Sequence, residues 1–214
     1  MKILGLTGGS GAGKSAACAA FTQLGCSVID ADASYRMLCE TCRPMLDEIQ
    51  SVFFDILTTN GKLDRKKLGA VVFADPDKLL QLNAITHPYI RQAARDAFDA
   101  FAQQGCQLCV YDAPVLFEAG MQTECDATCA VLATREARIA RIMLRDAITE
   151  EYAALRIDAQ KPDAFYRERC DYIIQNDADL DSLYVQARRI HDDILRQSPQ
   201  ISRKEQSNGK QAVL

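Results

Sequence analysis

Gly8-Gly9-Ser10-Gly11-Ala12-Gly13-Lys14-Ser15 places Gly8, Gly13, Lys14 and Ser15 in the spacing GxxxxGKS. Lys2-Ile3-Leu4-Gly5-Leu6 precedes it and reads as a short buried strand. Ala16-Ala17-Cys18-Ala19-Ala20-Phe21 follows and reads as the opening turns of a helix. A strand, a glycine loop and a helix in that order make a phosphate-binding loop. Glycines let the backbone close tightly with its N–H groups turned inward, and the new helix adds its positive end. The residues expected to cradle nucleotide phosphates are therefore Gly9, Gly11, Ala12, Gly13, Lys14, Ser15 and Ala16. Lys14 reaches the β- and γ-phosphates, and the Ser15 hydroxyl is a ligand for Mg²⁺.

The rest of the chain supplies the remainder of an α/β fold. Ser27-Val28-Ile29-Asp30, Gln107 to Asp112, Thr128 to Leu132, and Asp171-Tyr172-Ile173-Ile174 read as four further strands. Helical stretches alternate with them, which predicts a five-stranded parallel sheet with helices on both faces. Ligands in such sheets bind beyond the carboxyl ends of the strands. Lys14, Asp30, Asp32 and Asp112 all fall at or just after those ends. Between the second and third strands, Leu46, Ile49, Val52 and Phe53 recur at helical spacing, as do Leu79, Leu82 and Ile85. Asp75-Pro76 and His87-Pro88 are expected to break this block, and a long helix is expected from Tyr89 to Gln103.

The block is too long for a simple crossover. The expected organisation is a nucleotide-binding core of residues 1–32, 105–134 and 168–198, and a helical substrate lobe of residues 33–104. A lid covers residues 135–167, and the polar, aperiodic residues 199–214 read as a disordered tail. The lid segment is expected to be helical from Glu136 to Gln160, with Arg138, Arg141 and Arg145 on one face.

Composition narrows the function class. A net charge of −4 and a pI near 5.3 argue against a protein that binds nucleic acid through bulk charge. No apolar stretch reaches membrane-spanning length, and no secretory signal opens the chain. Nine cysteines without an export signal read as free thiols in a cytoplasmic protein. Cys39/Cys42 and Cys106/Cys109 form two CxxC pairs, but Cys109 leads straight into an apolar strand. Small buried hydrophobes explain them better than zinc. A GTP-dependent switch would need Asn-Lys-x-Asp for guanine, and Asn176-Asp177-Ala178-Asp179 lacks the lysine. A small-molecule kinase fits better, because phosphoryl transfer wants charge neutralisation, exclusion of water and an oriented acceptor hydroxyl. A phosphate-loop module that binds ATP without turnover is the alternative of another class.

Over residues 3–190 the sequence resembles the dephospho-coenzyme A kinase family. The resemblance rests on Leu6-Thr7 leading into the phosphate loop, on Asp30-Ala31-Asp32 with Arg36, and on Gly61-Lys62-Leu63-Asp64-Arg65. Val72-Phe73, His87-Pro88 and Asp112-Ala113-Pro114-Val115-Leu116-Phe117-Glu118 follow in order. Arg141, Arg145-Asp146, Arg156-Ile157, Gln160 and Cys170-Asp171-Tyr172-Ile173-Ile174-Gln175-Asn176 complete it. Departures from the family pattern stand at Thr41-Cys42, Phe53-Phe54, Ala147, Tyr166 and Cys170.

What the resemblance implies is a P-loop nucleoside-kinase-like fold and transfer of the ATP γ-phosphoryl to the ribose 3′-hydroxyl of dephospho-coenzyme A. It implies ATP and Mg²⁺ as cofactors, and a monomer or weak homo-oligomer with no nucleic-acid or membrane partner. Lys14, Asp32, Arg141 and Arg145 are then the catalytic candidates, with Asp32 as acceptor-side base or orienting carboxylate. Asp32, Arg36, Arg65 and His87 are the substrate-binding candidates. Ser15, Asp30 and Asp112 are the metal candidates, and Asn176 lies near adenine. Arg138 shares the arginine face but stands outside this set.

Overall fold

The computed structural model describes residues 1–58 and 60–197. Five strands, β1 (Lys2–Thr7), β2 (Ser27–Asp30), β3 (Leu108–Asp112), β4 (Ala127–Leu132) and β5 (Tyr172–Gln175), form one parallel sheet in the order β2-β3-β1-β4-β5. The fifth strand starts one residue later than its apolar run suggests. Asp171 stands just before it, with its carboxylate accepting from the backbone and hydroxyl of Thr128.

Both faces of the sheet are covered. On one, α1 (Lys14–Gln23) and α9 (Leu180–Arg196) bury Phe21, Leu183, Ala187, Ile190 and Ile194 against Leu4, Leu6, Val110, Cys129 and Val131. On the other, the end of α5 (Pro76–Gln103) brings Ala94 and Phe98 onto Ile29, Cys109 and Tyr111. Each large side chain so buried stabilises the fold by about 1.5–3 kcal/mol. A third cluster gathers Cys39, Met45, Ile49, Leu63, Leu68 and Leu82 from α2 (Ala31–Thr41), α3 (Arg43–Val52), α4 (Arg65–Val72) and the first half of α5.

His87-Pro88 does not interrupt α5, contrary to the reading from sequence. Proline removes one i→i−4 bond and crowds the preceding turn. Here that local cost is offset by burial on both sides of the site, at Leu82 and Thr86 before it and at Ala94 and Phe98 after it.

The arginine-rich stretch is likewise two helices, α6 (Arg135–Asp146) and α7 (Glu150–Asp158), followed by α8 (Asp163–Arg169). Ala147 ends α6 in the left-handed conformation at φ 52°, and the Thr149 side chain caps α7. No helix among the described residues is long and apolar enough to cross a membrane. The expected disordered tail lies outside the described residues.

Candidate active site

The phosphate loop runs from the end of the central strand into α1. Gly13 takes φ 101° there, and a Cβ on it would run into the Asn176 side-chain amide. Glycine is the residue that meets both demands. No acidic side chain occupies the first turn of α1, so its N–H groups and positive end are left for an anion.

The loop opens onto a cleft of 630 Å³. Gly9, Gly11, Gly13, Lys14 and Ser15 line it from the loop, together with Asp32 from α2 and Arg141 and Arg145 from α6. The sequence candidates for phosphate handling and proton transfer thus come together. Gln160, Lys161, Tyr166 and Glu118 also line the cleft. Reading the sequence placed Gln160 in the lid and Glu118 in the segment after the third strand, but named none of the four as a site residue. Lys161, Gln160 and Tyr166 come from the turn into α8 and from α8 itself, and only the folded chain brings that segment to the loop.

Two candidates brace the loop through its carbonyls. Asn176 follows β5, is only 6% exposed, and donates from Nδ2 to the Ala12 carbonyl at 2.8 Å. Arg141 donates to the carbonyls of Gly11 and Ala12 at 3.3 and 3.4 Å and to that of Asn176 at 2.9 Å. Ala12 is buried, and Ala16 continues α1 with its N–H on the Gly13 carbonyl at 3.0 Å. Arg145 pairs with Asp146 at 2.8 Å, and Arg156 completes that ion cluster. These two arginines hold the Asp146 carboxyl at about 2, well below its ordinary value.

The three aspartates differ sharply. Asp30 caps α2, its Oδ1 accepting from Ala33 N at 2.9 Å, and its Oδ2 lies 3.8 Å from Arg36. Asp32 sits in the first turn of the same helix and is exposed to the cleft. Asp112 lies deeper. Burial raises its pKa, with Lys14 and the Cys18 thiol acting against that rise. In turn, burial and the nearby Asp112 push Cys18 up to about 12, which keeps it a thiol. The Asp112 Oδ1 atom is buried without a hydrogen-bond partner among the described residues. Asp112 does not itself line the cleft, but a lone carboxylate oxygen within the field of Lys14 suits a hard cation, which takes one or two carboxylates and completes its shell with phosphate and water.

Arg36, Arg65 and His87 do not line the cleft; they lie on α2, α4 and α5. Arg65 is exposed, with its charge felt by Tyr35 and Cys39. His87 is half-buried; desolvation and the neighbouring Arg91 lower its pKa. Cys39 and Cys109 are buried in α2 and β3, and all nine cysteines are free thiols.

Known proteins resemble this arrangement. The family model described as dephospho-CoA kinase matches residues 2–182. The dephospho-CoA kinase of Syntrophotalea carbinolica is 42% identical over 182 residues, covering 85% of this chain and 86% of that protein. That of Anaeromyxobacter dehalogenans is 40% identical over 195 residues, covering 91% and 92%. Among solved structures, TT1252 from Thermus thermophilus superimposes with a TM-score of 0.74 at 30% identity, covering 89% of this chain and 95% of that one. Dephospho-CoA kinase from Campylobacter jejuni does so with a TM-score of 0.65 at 25% identity, covering 91% and 98%.

Proposed function

The chain belongs to the dephospho-CoA kinase family, and from that premise we propose how its residues divide the reaction. The enzyme transfers the γ-phosphoryl of ATP to the ribose 3′-hydroxyl of dephospho-coenzyme A and releases coenzyme A and ADP. The observation that carries the assignment of roles is the shared cleft. Lys14, Ser15, Asp32, Arg141 and Arg145 all line it.

On this reading the backbone at Gly9 and from Gly11 to Ala16, together with the Lys14 ammonium, receives the ATP phosphates. Lys14 and Arg145 neutralise charge that spreads over the transferring group, which is where preorganised cations act most strongly. Asp32 accepts a hydrogen bond from the acceptor hydroxyl, aligns it, and takes its proton as transfer proceeds. Arg141 stiffens the loop through the Gly11 and Ala12 carbonyls. Arg36, Arg65 and His87 belong to the helical block of residues 33–104, which we assign to the rest of the acceptor. Asn176 works through the Ala12 carbonyl, on the adenine side of the loop.

Ser15 and Asp112 are the residues that would hold Mg²⁺. Asp30 was grouped with them on sequence, but its two oxygens already serve the α2 N-terminus and Arg36. When bound, the ion supplies Lewis-acid neutralisation of the phosphate oxygens. Asp112 meets that need with a buried, unpartnered oxygen.

Coupled detection of ADP across a panel of acceptors tests the reading. Dephospho-coenzyme A should give the fastest turnover. Faster turnover with adenylate, cytidylate or shikimate would reassign the acceptor site to another small-metabolite kinase. ATP binding with no acceptor-dependent ADP would indicate a regulatory module instead.

A further inference from the structure

Ser10 stands at the crown of the phosphate loop, and each of its polar groups is engaged by a side chain from the segment after β4. Its N–H donates to Gln160 Oε1 at 3.0 Å. Its carbonyl accepts from Arg138 Nε at 2.9 Å, and its Oγ lies 3.3 Å from Arg145 Nη2. Gln160 and Arg138 are also joined to each other, Nη2 to Oε1, at 2.6 Å. These three residues are 128 to 150 positions from Ser10 in the chain.

We propose that Arg138 and Gln160 are positioning residues that hold the phosphate loop in its ATP-ready shape before nucleotide binds. A glycine-rich loop has much backbone freedom to lose, so a shape imposed beforehand spares ATP the cost of ordering it. The clamp is built into the interior. Arg138 is 7% exposed, and a guanidinium so far from water persists only with partners. Ser10, Gln160 and, at 4.0 Å, Asp163 provide them. The loop is shaped to receive the clamp. A Cβ on Gly9 would collide with the Arg138 guanidinium and come within 2.8 Å of Gln160 Oε1. It follows that the Ser10 N–H is not a phosphate ligand, because Gln160 already occupies it.

The proposal rests on the phosphate loop being the ATP site, and two variants separate the readings. Gln160→Leu keeps the size of the side chain and removes the acceptor. It should raise the KM for ATP about tenfold or more, since two partly buried donors lose their partner and only a fraction of loops stays competent. Its kcat and its KM for dephospho-coenzyme A should stay within about threefold of the parent, because saturating ATP rebuilds the loop. A general structural defect would instead lower the active fraction and spare the KM for ATP. An unchanged KM for ATP in Q160L, alongside an impaired Lys14→Met, overturns the clamp alone. An unimpaired K14M overturns the ATP site itself. Should Q160L fail to fold, amide exchange by NMR on the parent decides. The Ser10 amide should be protected without nucleotide and unchanged by a non-hydrolysable ATP analogue. An amide that gains protection only with the analogue would overturn the clamp.

Discussion

Asp30 and Asp112 are register partners at the carboxyl ends of adjacent strands, yet their carboxylates meet opposite fates. Asp30 has both oxygens engaged, by the Ala33 N–H and by Arg36, and it is exposed. Asp112 is half-buried, with its Oδ1 fully buried and unpartnered among the described residues. Two acids one strand apart are thus divided into a helix cap and a group whose buried oxygen can face a cation.

That division sharpens a mutational contrast. Asn caps helices as well as Asp does, so Asp30→Asn should leave thermal stability nearly unchanged, whereas Asp30→Ala should cost about 1 kcal/mol. Asp32→Asn should melt normally and lose roughly 100- to 10,000-fold in phosphoryl transfer, as loss of a general base does. Steady-state rates and melting curves on the three variants decide. A D32N enzyme within a few-fold of the parent, beside a dead D30N, would move the orienting role to Asp30.

Lys14→Ala removes charge stabilisation from the moving phosphoryl group and should slow turnover roughly 100- to 1000-fold. Lys14 is only partly buried and joins no ion pair among the described residues, so its melting temperature should hold. Near-full turnover by a normally folded K14A protein would place the ATP phosphates elsewhere.

Asn176 offers a test of orientation rather than of charge. Its Nδ2 donates to the Ala12 carbonyl, so Asn176→Asp sets a carboxylate against a carbonyl in a buried site. Asn176→Ala merely deletes the bond, at about 1 kcal/mol. N176D should therefore melt below N176A, and both should bind ATP more weakly than the parent. An N176D variant as stable as N176A at neutral pH would contradict the donor role.

His87 gives the molecule a stability term that depends on pH. Burial, with Arg91 nearby, lowers its pKa below the ordinary 6.5, so the unfolded chain binds the proton more readily. Stability therefore rises with pH in this range. The contribution is complete above 6.5 and is lost as pH falls from there through the folded value. Melting curves of the parent and of His87→Gln between pH 7.5 and pH 5, chosen to span that window, should diverge toward the acid end, with the parent losing more. Parallel curves would show that the imidazole titrates as it does in the unfolded chain.

How much of this could be read beforehand depended on range. The phosphate loop was legible because its chemistry is local: eight residues carry the bend, the cation and the metal hydroxyl. The sheet was legible because each strand is a short apolar run closed by polar residues. Pro88 misled because local backbone preference was outweighed by packing contributed along the whole of α5. Arg138 could be placed on a face with Arg141 and Arg145, but spacing alone does not tell which member of a charged face is buried. Gln160 was legible as the close of the lid segment, but not as a partner of the phosphate loop, since Ser10 lies 150 residues away. The division of Asp30 from Asp112 was equally invisible, because it depends on which carboxylate the α2 N-terminus claims.

The strand order has a thermal consequence. β1, which launches the phosphate loop, is the middle strand, whereas Asp30 ends one border strand and Asn176 follows the other. Warming loosens sheets from their borders inward, where fewer neighbours restrain the backbone. Asp32 on the cleft and Asn176 bracing the loop therefore stand just past the strands that fray first, and the phosphate loop just past the one that frays last. Catalysis should fade some degrees below the temperature at which calorimetry registers unfolding, with the glycine loop still seated in an intact centre.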